Sequence, residues 1–240
     1  MLLLAAALTI LETLTLQGPL HHVQGIDIEG DTLWASSVEK ETKKGFLFKL
    51  NARTGQILLQ TEVQDGAKFH PGGLMLDGDS IWLPVAEYRR TSTAQIQRRD
   101  KRTLKLLSSF EVADHIGCVA ASGDRLYGGN WDSKEIYEWT KDGRLLGKRP
   151  NETGTRYQDM KYLRGSLFAG GLREKGRGAI DRLDPKTLGL VARQDVGTTD
   201  RGVVFTNEGM TLRGGHLYVL PEDAPSRLMK LAPAAGLRVD

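Results

Sequence analysis

Two carboxylates, Asp159 and Glu208, stand at positions that the chain otherwise fills with glycine, cysteine or glutamine. A carboxylate withdrawn from water must be paired, bound or reprotonated. Buried beside a second carboxylate, one of the two acquires a pKa near neutrality and can take and return a proton at pH 7. Three imidazoles, His22, His70 and His115, precede them in equivalent sequence positions together with Arg156 and Thr206, and two residues further on stand Gln24, Gly72, Gly117, Gln158 and Glu208. The histidines are candidates for substrate hydrogen bonds, for packing against backbone carbonyls, or for a three-ligand metal site of the catalytic zinc type. The candidate set is therefore Glu208 and Asp159 for proton transfer, with Asp159 holding Glu208 electrostatically or sharing a divalent cation such as calcium with it. His22, Gln24, His70, His115, Arg156, Gln158 and Asn207 would hold substrate.

Equivalence of these positions comes from an internal repeat. The stretch "FHPGGLMLDGDSIWLP" returns four more times, as "HHVQGIDIEGDTLWAS", "DHIGCVAASGDRLYGG", "RYQDMKYLRGSLFAGG" and "TNEGMTLRGGHLYVLP". Aligned on the aromatic, the column reads Trp34, Trp82, Tyr127, Phe168 and Tyr218, at steps of 48, 45, 41 and 50 residues. Five copies at this period mark a repeat architecture. Eight residues upstream every copy is apolar (Ile26, Leu74, Val119, Met160, Met210), and so is every copy six upstream (Ile28, Leu76, Ala121, Tyr162, Leu212).

The period of two predicts strands, and the Gly/Asp steps before the aromatic predict tight hairpin turns. A third strand follows ("FLFKL", "AQIQRR", "EIYEW", "AIDRL", "RLMKL"), then a polar turn, then in most units a fourth ("QILLQTEV", "LKLLSSFEV", "LVARQDV"). Five units of four antiparallel strands without a helical stretch predict an all-β fold, the five-bladed β-propeller. The last unit is one strand short, so Leu11 to Leu16 is expected to pair into it and close the ring. The expected organisation is one propeller domain over residues 11–240, with repeats at about 21–68, 69–114, 115–156, 157–205 and 206–240 plus 11–16.

In such a ring the loops that enter each innermost strand surround one mouth of the central channel, where ligands of closed β folds bind. Loops on the same face add Glu39, Glu87, Asp132 and Asp223 in one column with Arg173 as its fifth member, while Tyr88, Arg89, Asn130 and Trp131 are candidate pocket walls. An acidic outer ring is usually solvated; around a mouth with His and Arg it would favour a polar or cationic ligand. Cys118 is the single cysteine, which excludes an intramolecular disulfide and a multi-cysteine metal site. It is expected to be a buried, inert thiol, and His21 and His216, which lie outside the repeat columns, to be surface residues.

Composition limits the partners. With 33 Lys+Arg against 30 Asp+Glu and a net charge of +3, the signs are mixed along the chain, and "KETKK" and "QIQRRDKR" are interrupted by acids or glutamines. No one-sided basic footprint for nucleic acid results. "MLLLAAALTI", residues 1–10, is too short to span a bilayer. It reads as a truncated export signal without basic lead or cleavage site, implying a secreted or periplasmic protein; the alternative is the N-terminus of a cytoplasmic one. A monomer is expected.

The repeats resemble those of a bacterial propeller family without assigned function. "VQGI" at 23–26 and "NEGM" at 207–210 are similar to the plant and bacterial type of glutaminyl cyclotransferase, and the five-blade plan is shared. The calcium-dependent lactonases of the gluconolactonase group are similar in plan, although Gln24 stands where that group has a glutamate and five repeats stand where it has six blades. These resemblances imply cyclotransferase-, lactonase- or lyase-like chemistry with Glu208 as the proton shuttle. A noncatalytic propeller binding a small polar ligand or peptide is the alternative. A protein-interaction platform with the outer blade edges as the contact is the third reading, against which "QIQRR" and "EIYEW", read as polar outer strands, speak.

Overall fold

The structure is a computed structural model and describes residues 8–232. Most of the apolar segment 1–10 therefore lies outside the described residues.

Each repeat folds into its own antiparallel sheet whose strands follow chain order outward from the axis. Blade 1 holds β2 (His22–Glu29), β3 (Thr32–Glu39), β4 (Lys44–Asn51) and β5 (Ile57–Glu62). Blade 2 splits its inner strand into β6 (Lys68–Pro71) and β7 (Met75–Asp77), followed by β8 (Ser80–Glu87), β9 (Ala94–Asp100) and β10 (Leu106–Val112). Blade 3 is β11 (Ile116–Ser122), β12 (Arg125–Asn130), β13 (Glu135–Thr140) and β14 (Leu145–Pro150). Blade 4 is β15 (Arg156–Leu163), β16 (Ser166–Leu172), β17 (Gly178–Leu183) and β18 (Leu190–Val196). Blade 5 is β19 (Gly209–Arg213), β20 (His216–Leu220) and β21 (Arg227–Ala232), and its outer strand is β1 (Thr9–Thr15), so the two ends of the chain share one sheet. The register runs from Thr9↔Ala232 to Thr15↔Arg227 and closes the ring as expected. No helix among the described residues is long and apolar enough to cross a membrane.

Local chemistry explains the repetition. Two-residue loops join the first two strands of every blade, and Gly30, Gly78, Gly123 and Gly214 open four of them at φ of 55–56°, a conformation glycine adopts without steric cost. The alternating apolar residues then face neighbouring blades, where Ile26, Leu33, Leu74, Ile81, Val119, Leu126, Met160, Leu167, Met210 and Leu217 are fully buried. At the axis the inner strands of blades 2 and 3 touch through backbone: Gly73 N–H donates to Gly117 O at 2.8 Å and Val119 N–H to Gly73 O at 3.1 Å. A Cβ on Gly72 would lie 2.0 Å from Gly117 O, which explains why blade 2 breaks its inner strand at glycines.

One expectation about the outer surface needs correction. "QIQRR" and "EIYEW" belong to β9 and β13, third strands that are largely covered by the fourth. The outermost strands instead begin with exposed apolar pairs: Ile10-Leu11, Leu58-Leu59, Leu106-Leu107, Leu145-Leu146 and Leu190-Val191. In each case a β-bulge leaves Leu11, Leu58, Leu107, Leu146 or Val191 without a cross-strand partner. The bulge twists the edge, and five edges treated alike follow from five copies of one repeat.

Candidate functional site

The channel mouth holds a cavity of about 310 Å³. It gathers His22, Gln24, His70, His115, Trp131, Arg156, Gln158 and Glu208, with Tyr88, Arg90 and Asp132 beside them. Backbone irregularity puts these side chains there. The register of β2, β11 and β15 slips at Gln24, Gly117 and Gln158, so each inner strand enters the blade through a bulge. A bulge at a sheet end re-aims its residue, and in blades 1, 3 and 4 it does so at the repeat position that reads Gln24, Gly72, Gly117, Gln158, Glu208. Two other cavities are lined by surface pairs such as Arg53–Asp31 and Lys101–Glu29 and collect no histidine.

Glu208 is the chemical centre of the mouth. Its side chain is 8% exposed. Oε1 lies 3.1 Å from His22 Nε2, while Oε2 is buried without a hydrogen-bond partner. Burial pushes its carboxyl up to about 7, against the pull of the His22 hydrogen bond. The same hydrogen bond raises the His22 pKa above its ordinary value. The two groups therefore share a proton around neutrality, and the titration belongs to the pair. On its other edge His22 faces the exposed Glu222, with Nδ1 3.6 Å from Oε1.

The other two imidazoles of the mouth, His70 and His115, are disfavoured as cations by burial, and their hydrogen bonds fix their tautomers. His70 Nε2 donates to Gln24 Oε1 at 3.0 Å, and the Gln24 amide is oriented by its own donation to Val23 O. His70 Nδ1 is thereby an acceptor, buried and unpartnered. Burial, then His115 and His22, holds the His70 pKa well below its ordinary value. His115 Nδ1 lies 3.1 Å from Arg89 O, which requires an N–H there and leaves Nε2 as the acceptor; burial lowers its pKa to about 4. The three histidines thus commit nitrogens to three separate partners. Among the described residues the one group of three close metal-type donors is His22, Glu208 and Glu222.

An aromatic wall faces the acid. Tyr88 meets His70 edge-on at 4.3 Å, and Trp131 meets His115 at 4.4 Å and Tyr88 at 6.2 Å. Arg156 is exposed, lines the cavity and, among the described residues, carries no ion pair, whereas Arg90 is spent on Asp132. Gln158, half-buried, lines the cavity beside it.

Four candidates lie away from the cavity, the first of them Arg89, which pairs with Glu87. Asp159 is fully buried on the axis: Oδ2 accepts the amides of Ile26 and Met210, each at 3.1 Å, and Oδ1 accepts the Met160 amide and pairs with Lys161. Burial raises it to about 6, with Lys161 and the amides opposing. Lys161 Nζ, also fully buried, donates to Leu74 O at 2.7 Å. One ion pair thus connects blades 1, 2, 4 and 5. Asn130 is occupied within blade 3 by Asp114 and the Glu135 amide. Asn207 sits in the turn before β19, its amide bonded to Val204 O.

Lys161 and Glu222 are what sequence reading missed. Seven residues before the aromatic the column reads Asp27, Met75, Ala120, Lys161, Thr211. It points to the axis between the two apolar columns that defined the strands, and its polar members were the available signal. Asp27 in that column binds the amides of Ile28 and Leu76, Thr211 Oγ1 and Arg213. Glu222 lies four residues after the aromatic, the repeat position that in blades 3 and 4 supplies the cavity-lining Trp131 and Leu172, and it reaches the mouth through His22. The acids of the column one residue further on are all partnered: Glu39 meets His21, Glu87 meets Arg89, Asp132 meets Arg90, and Asp223 meets Arg201 and Arg227. Cys118 is buried, and its thiol is pushed up to about 12.

The model of a family of unknown function (DUF6454) matches residues 8–152. No curated protein matches. Among solved structures the chain is similar to glutaminyl cyclase from Myxococcus xanthus, with TM-score 0.70 and 14% identity over 94% of this chain and 95% of that one. It is also similar to the Pan2 WD40 domain of Neurospora crassa, with TM-score 0.53 and 12% identity over 95% and 73%. At these identities the likeness is one of fold.

Proposed function

We propose that this chain, which belongs to the family of unknown function DUF6454, binds a small molecule or peptide end at the channel mouth and moves a proton there through Glu208, in a reaction of the cyclotransferase type. The observation that carries this reading is the buried, unpartnered Oε2 of Glu208 in a cavity, on a carboxyl whose pKa is raised to about 7. General acid–base work at neutral pH requires a group of that kind. On an N-terminal glutamine the α-amine nitrogen attacks the γ-carboxamide carbon, and the new C–N bond closes a five-membered lactam. Glu208 takes the proton from the attacking amine and delivers it to the leaving nitrogen, which departs as ammonia. Glu208 ends in its starting protonation state.

The remaining groups have matching roles. The neutral acceptor His70 Nδ1 would receive a substrate N–H, the Tyr88–Trp131 wall would pack on the apolar part of the ligand, and unpaired Arg156 would hold a carbonyl or carboxylate further along it. The fold likeness to Myxococcus xanthus glutaminyl cyclase supports the choice of first substrate. Ammonia release from peptides with N-terminal glutamine is the test, with lactones and esters as a second panel. Turnover in the wild type that falls by about 10²–10⁴ in Glu208→Gln is expected. Turnover that survives Glu208→Gln overturns the role of Glu208, and a folded protein that turns over neither panel is a noncatalytic binding propeller.

A further inference from the structure

We infer that the channel mouth is also a binding site for a zinc-class divalent ion, held by His22, Glu208 and Glu222. The inference goes beyond proton transfer at Glu208 and does not depend on turnover. One donor atom from each of the three residues lies within 4.8 Å of the others. Tetrahedral zinc with bonds of about 2.0–2.2 Å spaces its ligand atoms a little closer. His22 can offer the ion one nitrogen, Nε2 beside Glu208, so the adjustment falls on Glu222, which faces Nδ1 and must swing around the ring edge from its exposed position (53%) in the loop between β20 and β21.

Charge favours a cation here. Among the described residues neither Glu208 nor Glu222 has a lysine or arginine ion partner; both share the single imidazole of His22. Glu208 in addition keeps one oxygen buried with no partner at all, so a donor or cation is missing at the best-shielded point of the cluster. Asp159 cannot complete an alternative cation site with Glu208, because its oxygens are taken by three backbone amides and by Lys161.

Donor chemistry selects the ion. One imidazole nitrogen and two carboxylate oxygens resemble the three-ligand sets that hold catalytic zinc and leave a fourth position open, here toward the cavity. Calcium asks for six to eight oxygen ligands, which this corner of the mouth does not supply, and magnesium, which keeps waters in its shell, takes oxygen rather than imidazole donors. Bound zinc would occupy the oxygen on which Glu208 otherwise receives a proton, so the ion and an amine substrate exclude each other.

The experiment is calorimetric titration of zinc chloride into the tag-free, chelator-treated protein, with calcium chloride as the comparison ion. One zinc per chain is expected, with no comparable heat from calcium. Glu222→Gln, a change at an exposed residue that leaves folding intact, should weaken zinc more than tenfold, since even loss of an outer-shell partner costs about that much. His22→Asn, checked for an unchanged melting profile, should do the same. Absence of stoichiometric binding, binding indifferent to both variants (an adventitious ion only), or calcium bound as well as zinc would each overturn the site.

Discussion

Replacing Glu208 by Gln should make the protein more stable in alkaline solution than the wild type, by an amount that grows with pH. The wild-type carboxyl titrates near 4.5 in the unfolded chain and at about 7 in the folded one, because burial disfavours its charge. Its folded-state pKa is raised, so the native state binds the extra proton between those values, and stability present below pH 4.5 is lost as the pH rises through 7. At 1.36 kcal/mol per pH unit the gap is worth about 3 kcal/mol. His22 acts in the same direction: its pKa is raised by Glu208, so the stability it contributes is present below about 6.5 and lost above. The glutamine removes the ionisable carboxyl and the cause of the His22 shift together. Any fixed cost of the amide is independent of pH, so the difference between the two proteins isolates the titration. Urea unfolding at pH 4.5, 6, 7 and 8.5 measures it. The stability of the variant minus that of the wild type should rise by about 3 kcal/mol across the series, or roughly 6–12 °C in melting temperature for a chain of this size. Two parallel stability curves would refute the reasoning, because they would mean that Glu208 is ionised and satisfied throughout.

Lys161→Met should cost about 3–5 kcal/mol at pH 8, by leaving Asp159 charged and alone on the axis. The double variant with Asp159→Asn should recover most of that loss, and equal losses in single and double would show that the pair is not the cause. Gly72→Ala should lose more than about 3 kcal/mol, because its Cβ meets backbone at Gly117; Gly147→Ala, with open space around it, should stay within about 0.5 kcal/mol in the same urea assay. Arg156→Gln should raise KM for a glutaminyl peptide about tenfold with kcat unchanged, the mark of lost uniform binding. A fall in kcat at constant KM would place Arg156 in the transition state instead.

Much of the molecule was legible in the chain itself. The apolar columns eight and six before Trp34, Trp82, Tyr127, Phe168 and Tyr218 are local, period-two information, and five copies of one pattern leave few closed arrangements. The strand-poor last repeat announced that β1 must complete blade 5. The cavity was foreshadowed because the repeats keep their register ahead of each inner strand, so His22, Gln24, His70, His115, Arg156, Gln158 and Glu208 could be gathered from their column positions alone. The outer surface was read less well: "QIQRR" is polar because Gln95, Gln97 and Arg99 bond one another and neighbouring backbone inside the ring, while the exposed strand begins with Leu106-Leu107.

What the sequence by itself determined, then, is the repeat, its strands, the closure of the ring and which positions face the mouth, because each of these follows from short-range alternation and chain order. Only the tertiary structure decided how charge is settled. Asp159 and Glu208 look alike in the alignment, yet one is surrounded by the amides of Ile26, Met160 and Met210 and the ammonium of Lys161, while the other keeps an oxygen unpaired beside His22. Those partners lie up to 186 residues away in the chain, and whether a buried carboxylate is neutralised depends on distances of a few ångströms that no spacing along the sequence encodes.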